Sequence, residues 1–154
     1  MLIRRFTAED ADQLSQLIKR TLRTVNSRTY SMDAIEALIP FFTPENLIHQ
    51  AGEQYMIVCV DDGDLVGVAA LDGDRVRTVF VDAGRQRQGI GKSLMVEIEA
   101  RAIETQQVRL YLHSALSAES FYQALGYKSI GPIDRELNGF PVPEVEMAKK
   151  LGEE

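Results

Sequence analysis

Cysteine is nearly absent: Cys59 stands alone in 154 residues, which excludes an intramolecular disulfide and any multi-cysteine zinc or iron–sulfur site. Histidine is scarce, with only His49 and His113, so a metal centre would have to be mostly carboxylate. Positive charge is in the minority, 17 Lys and Arg against 23 Asp and Glu for a net charge of −6. That balance argues against broad, salt-driven nucleic-acid binding, which needs a basic footprint. No apolar run approaches the ~20 residues that cross a bilayer. The start, Met1-Leu2-Ile3-Arg4-Arg5-Phe6, lacks the apolar stretch of a signal peptide. These absences predict a cytoplasmic protein with a reduced thiol and no membrane or nucleic-acid partner. Length and the lack of any linker or repeat predict one domain, 1–154. A domain of this size buries about 68–70% of its unfolded surface and needs no covalent staple.

Hydrophobic periodicity supplies the elements. Leu2 to Phe6 is a strand candidate, followed by Ala11, Leu14, Ile18, Leu22 and Val25 at helical spacing. Ser31 precedes a second helix and Thr43-Pro44 starts a third. Tyr55–Val60, Leu65–Leu71 and Arg75–Val81 are apolar runs separated by Asp/Gly turns, the pattern of an antiparallel meander. Leu94, Met95, Ile98 and Ala102 then share a helix face, with Glu97 and Arg101 spaced to pair on another. Val108 to His113 alternates as a strand, and Ala118, Phe121, Tyr122 and Leu125 form a helix stopped by Gly126. Two strand candidates, from Tyr127 and from Val142 to Ala148, flank a Gly/Pro-rich excursion. The order predicts an α/β (α+β) fold with a mixed, mostly antiparallel sheet flanked by helices.

One segment carries chemistry. After the strand end Val79-Phe80-Val81, a polar loop with Gly84 and Gly89 runs into the helix that begins near Gly91. Glycines allow close backbone approach, loop N–H groups converge, and a helix N-terminus adds about half a positive charge, so the segment reads as an anion site for a phosphate or pyrophosphate. Arg85, Arg87 and Lys92 concentrate positive charge there. Spacing decides among phosphate loops. A P-loop needs Gly where Gln86 stands, and a dinucleotide loop fails at Leu94.

The spacing that fits is Gln86-x-x-Gly89-x-Gly91, and here the chain resembles the GCN5-related N-acetyltransferase (GNAT) superfamily. Ala118-x-x-Phe121-Tyr122-x-x-Leu125-Gly126-Tyr127 is similar to a second family signature, and Val145 to Leu151 to its closing strand. The resemblance implies a single GNAT-like domain that uses acetyl-CoA as co-substrate, without a metal. It implies direct transfer of the acetyl group to a primary amine of a small molecule or peptide. Backbone groups of Val79 and Val81 would meet the acetyl and pantetheine groups. Gln86, Arg87, Gln88, Gly89, Ile90, Gly91 and Lys92 would cradle the pyrophosphate. Tyr122 would protonate the departing thiolate, a transfer that reference pKa values near 10 and 8.5 leave nearly balanced. A homodimer is compatible with the family. Ala83 and Ala115 depart from the proline and asparagine that members often carry; for the latter either Ser114 and Ser117 substitute or that cofactor contact is absent. No glutamate stands on Arg75–Val81, where some members keep the base.

Other features have plainer readings beside the functional ones. Tyr122 lies on its helix's apolar stripe and also suits core packing. His113 shares a strand face with Arg109 and Tyr111 and is read as a structural or solvent histidine, with general base as the other role. His49 is read as a surface residue and Cys59 as buried and inert. The aspartates Asp61, Asp62, Asp64, Asp72 and Asp74 suit hairpin turns better than calcium. Glu153 and Glu154 read as a solvated tail. Tyr30, Phe41, Phe42 and Phe140 form either an acceptor-side aromatic wall or core. The alternative to an enzyme is a non-catalytic acyl-CoA-binding sensor or assembly module.

Overall fold

Apolar residues that alternate along a strand divide their side chains between two sheet faces, and both faces of the central strands here are apolar. The computed structural model describes residues 1–152; Glu153 and Glu154 lie outside the described residues. In chain order the elements are β1 (Leu2–Arg5), α1 (Ala11–Thr24), α2 (Met32–Leu38), α3 (Pro44–Glu53), β2 (Tyr55–Asp61), β3 (Asp64–Asp72) and β4 (Arg75–Val81). There follow α4 (Ile90–Glu104), β5 (Arg109–Ala115), α5 (Glu119–Ala124), β6 (Lys128–Ile133), β7 (Glu136–Leu137), β8 (Phe140–Pro141) and β9 (Glu144–Lys150). The main sheet has strand order β1-β2-β3-β4-β5-β9-β6, and among its described pairs only β4–β5 is parallel. The mixed α/β architecture is as the sequence predicts.

Met56, Val58, Val68 and Ala70 point to one face, where α1–α3 contribute Leu14, Leu17, Ile18, Ile35 and Leu47. Ile57, Cys59, Ala69 and Leu71 point to the other, where α4 brings Leu94, Met95, Ile98 and Ala102. Burying one such aliphatic side chain contributes roughly 1.5–3 kcal/mol, so the two layers hold the sheet from both sides. Gly67 sets how closely α4 sits. A Cβ there would lie 3.0 Å from both Ile90 Cγ2 and Leu94 Cδ1.

Local chemistry fixes the ends. Asp62 and Gly63 take φ of 51° and 81° in the two-residue β2–β3 turn, the pair of positive values that a type I′ hairpin needs. Ser31 Oγ accepts the Ala34 N–H at 3.1 Å, and Thr43 Oγ1 accepts that of Asn46 at 3.2 Å, capping α2 and α3. Asp10 accepts the Thr7 N–H at 2.8 Å and a forked pair from Arg4 at 2.8 and 2.9 Å. This ties the end of β1 to the start of α1.

Two local expectations are corrected and a third gains detail. Val108 is 76% exposed; β5 starts one residue later, and the Val108 carbonyl accepts the Leu151 N–H at 2.9 Å at the strand's open end. Arg101 does not pair with Glu97: its guanidinium lies 4.9 Å from the Tyr55 ring centroid and 3.9 Å from Glu104. An aromatic face attracts the cation as a carboxylate would, and Tyr55 is near from β2. The Gly/Pro-rich excursion contains the hairpin β7–β8, whose turn residues Asn138 and Gly139 sit at φ 51° and 82°. Asn-Gly is a strong type I′ turn signal, and the sequence carried it.

Candidate active site

The sheet is incomplete at its centre. β5 runs parallel to β4 for only two registered pairs, Arg75↔Tyr111 and Val76↔Leu112. The next residue, Arg77, is an extra one against β3: the register passes from Leu71↔Val76 to Ala70↔Thr78. A bulge of this kind bends and twists the strand, and here it stands where β4 leaves β5. Beyond it the two strands continue to Val81 and Ala115 with no further pairing among the described residues, so a wedge opens between their C-terminal ends.

Which backbone groups face that wedge follows from alternation. The Asp82 N–H donates to Val66 O at 2.9 Å, so in the same register Phe80 and Thr78 bond toward β3. Val79 and Val81 therefore turn their N–H and C=O toward the gap. The Val81 carbonyl is taken, accepting the Gln86 side-chain amide at 2.8 Å. Among the described residues the Val79 groups and the Val81 N–H have no partner and are left for solvent or a ligand, and polar backbone of this kind demands one.

The loop after β4 delivers a second set of donors. Arg87 and Gly89 adopt φ of 67° and 78°, and Gly89 is the N-cap of α4 without a capping side chain. The first intrahelical bond is Ser93 N–H to Gly89 O at 2.9 Å. The N–H groups of Ile90, Gly91 and Lys92 precede it and have no intrahelical acceptor, as at any helix start. No acidic residue occupies the first turn. Gly91 is required by packing: a Cβ would meet the Phe121 ring at 3.0 and 3.1 Å. The two sequence signatures thus touch each other in space, which their separation in the chain does not announce.

Among the predicted site residues, roles divide. Ile90 buries its side chain, so its backbone alone is available. Arg87, Gln88 and Lys92 are exposed, and Arg87 and Lys92 make no ion pair among the described residues. Gln86 holds the loop to β4 through Val81. Arg85 departs from expectation. It pairs with Asp61 at the end of β2, so its charge is neutralised instead of facing an anion. The local positive potential rests on Arg87, Lys92 and the helix terminus.

Tyr122 lies on α5, 7% exposed, with its ring edge-on to Phe121 and Tyr127 at centroid distances of 5.0 and 5.8 Å. Its hydroxyl makes no hydrogen bond among the described residues. Desolvation raises its pKa well above that of a free phenol. Burial makes the group a weaker acid than a free phenol and suits it to donating a hydrogen bond while staying protonated. Ser114 is buried and donates to the Ala115 carbonyl at 2.7 Å. Its proton is committed, and it is a poor replacement for an asparagine donor.

On the α1–α3 face of the sheet, aromatic side chains meet β4 and the β8–β9 connection. The Tyr30 hydroxyl donates to Pro143 O at 2.7 Å, and burial with nearby Glu144 raises its pKa to about 12. Phe42 packs edge-on against Phe80 of β4 at 5.5 Å, whereas Phe41 and Phe140 are exposed. The expected aromatic wall therefore divides, two members packed and two free. Sequence reasoning missed Glu144 and Glu146 on β9 and Arg135 before β7, which gather beside His113. The alternation of β9 placed both glutamates on one face, and that was the available signal.

Comparison with known proteins identifies the family and the fold. The sequence model of the acetyltransferase (GNAT) domain matches residues 26–151. Probable N-acetyltransferase 14 of Danio rerio is 32% identical over 90 residues, covering 53% of this chain; the chain matches only 31% of that protein's length. Among solved structures, a GCN5-related N-acetyltransferase from Rhodopseudomonas palustris superposes with a TM-score of 0.92 at 20% identity, covering 97% of this chain and 95% of that one. The PaiA N-acetyltransferase of Thermoplasma acidophilum, in complex with coenzyme A, gives 0.81 at 20% identity over 97% and 98%. At such identities the structures establish a shared fold.

Proposed function

The chain belongs to the acetyltransferase (GNAT) domain family, and from that premise we propose that it transfers the acetyl group of acetyl-CoA directly to a primary amine of a small molecule or peptide. The observation that carries the reading is the wedge between β4 and β5, lined by unpaired backbone of Val79 and Val81 and continuous with the uncapped start of α4. Its two ends suit the two ends of one ligand. Amide and carbonyl groups suit the gap, and a pyrophosphate suits the N–H groups from Arg87 to Lys92.

Acetyl-CoA supplies an activated thioester. The residues do the rest. A Val79 or Val81 N–H aimed at the acetyl oxygen would stabilise the charge that grows there, as an oxyanion donor does. The Tyr122 hydroxyl would donate a hydrogen bond to the departing sulfur. Direct attack by the acceptor needs no protein nucleophile, and Cys59, buried with its pKa raised by desolvation, is in no position to be one.

The test is acetyl-CoA binding by calorimetry, together with CoA release against a panel of primary amines. Gly89→Glu forces a side chain at φ 78° and sets a negative charge at the helix start; Lys92→Glu adds charge without backbone strain. Both proteins should fold by circular dichroism and bind acetyl-CoA at least tenfold more weakly. Undiminished binding in both would remove the loop from the proposal. Tight binding with no acceptor in the panel would favour the sensor reading.

A further inference from the structure

Helices α1–α3 cover β2, β3 and β4 on their face of the sheet and also touch β7 and β8. Farther across that face, beyond the wedge, polar side chains take over. His113 of β5 is 40% exposed and lies beside Glu146 of β9, its cross-strand partner. The Nε2–Oε2 distance is 2.8 Å. In the neutral ring, contact with an ionised carboxylate, which can only accept, places the hydrogen on Nε2. Glu146 is held in turn by both terminal nitrogens of Arg75, each at 3.4 Å. That leaves Nδ1 as the lone-pair side of the ring. It faces Glu144, 3.9 Å away, too far for a hydrogen bond between them. Glu144 pairs with Ala115, the last residue of β5 and the wedge's edge. A histidine held on one nitrogen by a carboxylate, with its other nitrogen on the side of Glu144 next to the end of β5, has the arrangement of an oriented base.

We infer that His113 is the general base for the acceptor: an ammonium docks between His113 Nδ1 and Glu144 and gives its proton to Nδ1, while Glu146 and Arg75 act as positioning residues. The inference rests on the acetyl-transfer reading above. The protons balance. An alkylammonium loses one proton to Nδ1, directly or through one water, and becomes nucleophilic. The amine nitrogen forms a C–N bond to the thioester carbon, and the C–S bond breaks. The second nitrogen proton goes to the thiolate, giving an amide and free thiol. His113, partly exposed, returns its proton to water. The charged and titratable groups around the ring are Arg75 from β4, Tyr111 from β5, Glu144 and Glu146 from β9, and Arg135 from the β6–β7 connection, which lies 3.3 Å from Glu144. Both arginines are spent on the glutamates, so neither repels an incoming cation at full strength.

Two arms test this. Nitrogen NMR of protein labelled at histidine reads the tautomer without any substrate, and the only other histidine, His49, is assigned by His49→Gln. The neutral His113 ring should carry its proton on Nε2, and Glu146→Gln should weaken that preference. A ring protonated on Nδ1 would overturn the inference. In the second arm, His113→Gln is compared with wild type using spermidine, L-lysine and 2,2,2-trifluoroethylamine, the last largely neutral at pH 7. The variant should bind acetyl-CoA as wild type does. It should lose about 100-fold in turnover with the basic amines, recover with rising pH, and lose little with trifluoroethylamine. Equal losses on all amines, or turnover within threefold of wild type, would overturn the assignment alone. Failure of wild-type protein to bind acetyl-CoA would instead strike the transfer reading.

Discussion

The two flanks of β4 differ. Toward β3 it is registered from Gly67↔Val81 to Asp72↔Arg75, nearly its whole length, with one bulge. Toward β5 it is registered at two residues and then let go. The same strand is structural on one side and chemically available on the other. What keeps β5, β9 and β6 attached is the core layer under α4, where Val76, Leu110, Leu112 and Met147 pack with Ile57, Val66, Leu94 and Ile98. Hydrophobic burial is non-directional, so it can hold two half-sheets together while their backbones part. Ladder hydrogen bonds could not do that without closing the site.

The largest expected effect follows from this division. Leu112, the last registered residue of β5, is 2% exposed in that core. Leu112→Ala should cost about 2–5 kcal/mol of unfolding free energy. Ser114, two residues beyond the parting and on the same face, makes one bond, to its neighbour's carbonyl; Ser114→Ala should cost about 1 kcal/mol or less. Chemical denaturation measures both. Similar losses would mean that the attachment does not end where the ladder ends.

That boundary was only half legible in the sequence. The meander, the helix starting near Gly91 and the Gln86-x-x-Gly89-x-Gly91 loop depend on periodicity and spacing within short windows, and they were readable. The wedge was not, because it depends on a bulge at Arg77 and on where a parallel neighbour stops pairing; neither leaves a composition signal. Gly91 was legible as a loop glycine but not as the seat of the Phe121 ring. Arg85 was misjudged because its partner, Asp61, is 24 residues away in a hairpin end. His113 was visible as one of two histidines, but its orientation required Glu146, which only the β5–β9 register brings alongside.

The second effect compares ion pairs in the two halves under acid. Asp10 is nearly buried, and its pKa is lowered chiefly by the hydrogen bonds from Arg4, outweighing desolvation that acts the other way. A carboxylate depressed on folding stabilises the protein above its unfolded pKa of about 3.9, and that contribution is lost as pH falls through the folded value. Asp10→Asn should therefore cost about 1–2 kcal/mol at pH 7, and its gap to wild type should shrink below about pH 4. In the parted half, Arg75–Glu146–His113 is more open to solvent, where ion pairs contribute about 0–1 kcal/mol. Glu146→Gln should change stability little at any pH. An acid-dependent loss as large as that of Asp10→Asn would make this network structural, and the halves would be alike.

The smallest effect separates two arginines of one loop. Arg85 is bound to Asp61, which also lies 3.7 Å from the N-terminal ammonium, and so is anchored to the paired half of the sheet. Arg87, at φ 67°, stands free in solvent beside the start of α4. A solvated charge near an anion contributes about 0.5–1 kcal/mol and is screened by salt. Arg87→Gln should thus weaken acetyl-CoA binding about threefold in dilute buffer and hardly at all in 0.5 M salt, a concentration at which the Debye length is only about 4 Å. Arg85→Gln should leave the affinity unchanged at either salt concentration and lower stability slightly. If Arg85→Gln is the variant that loses affinity, then the Asp61 pair breaks when the ligand arrives. The loop would then be shared between the two flanks of β4 instead of belonging to the open one.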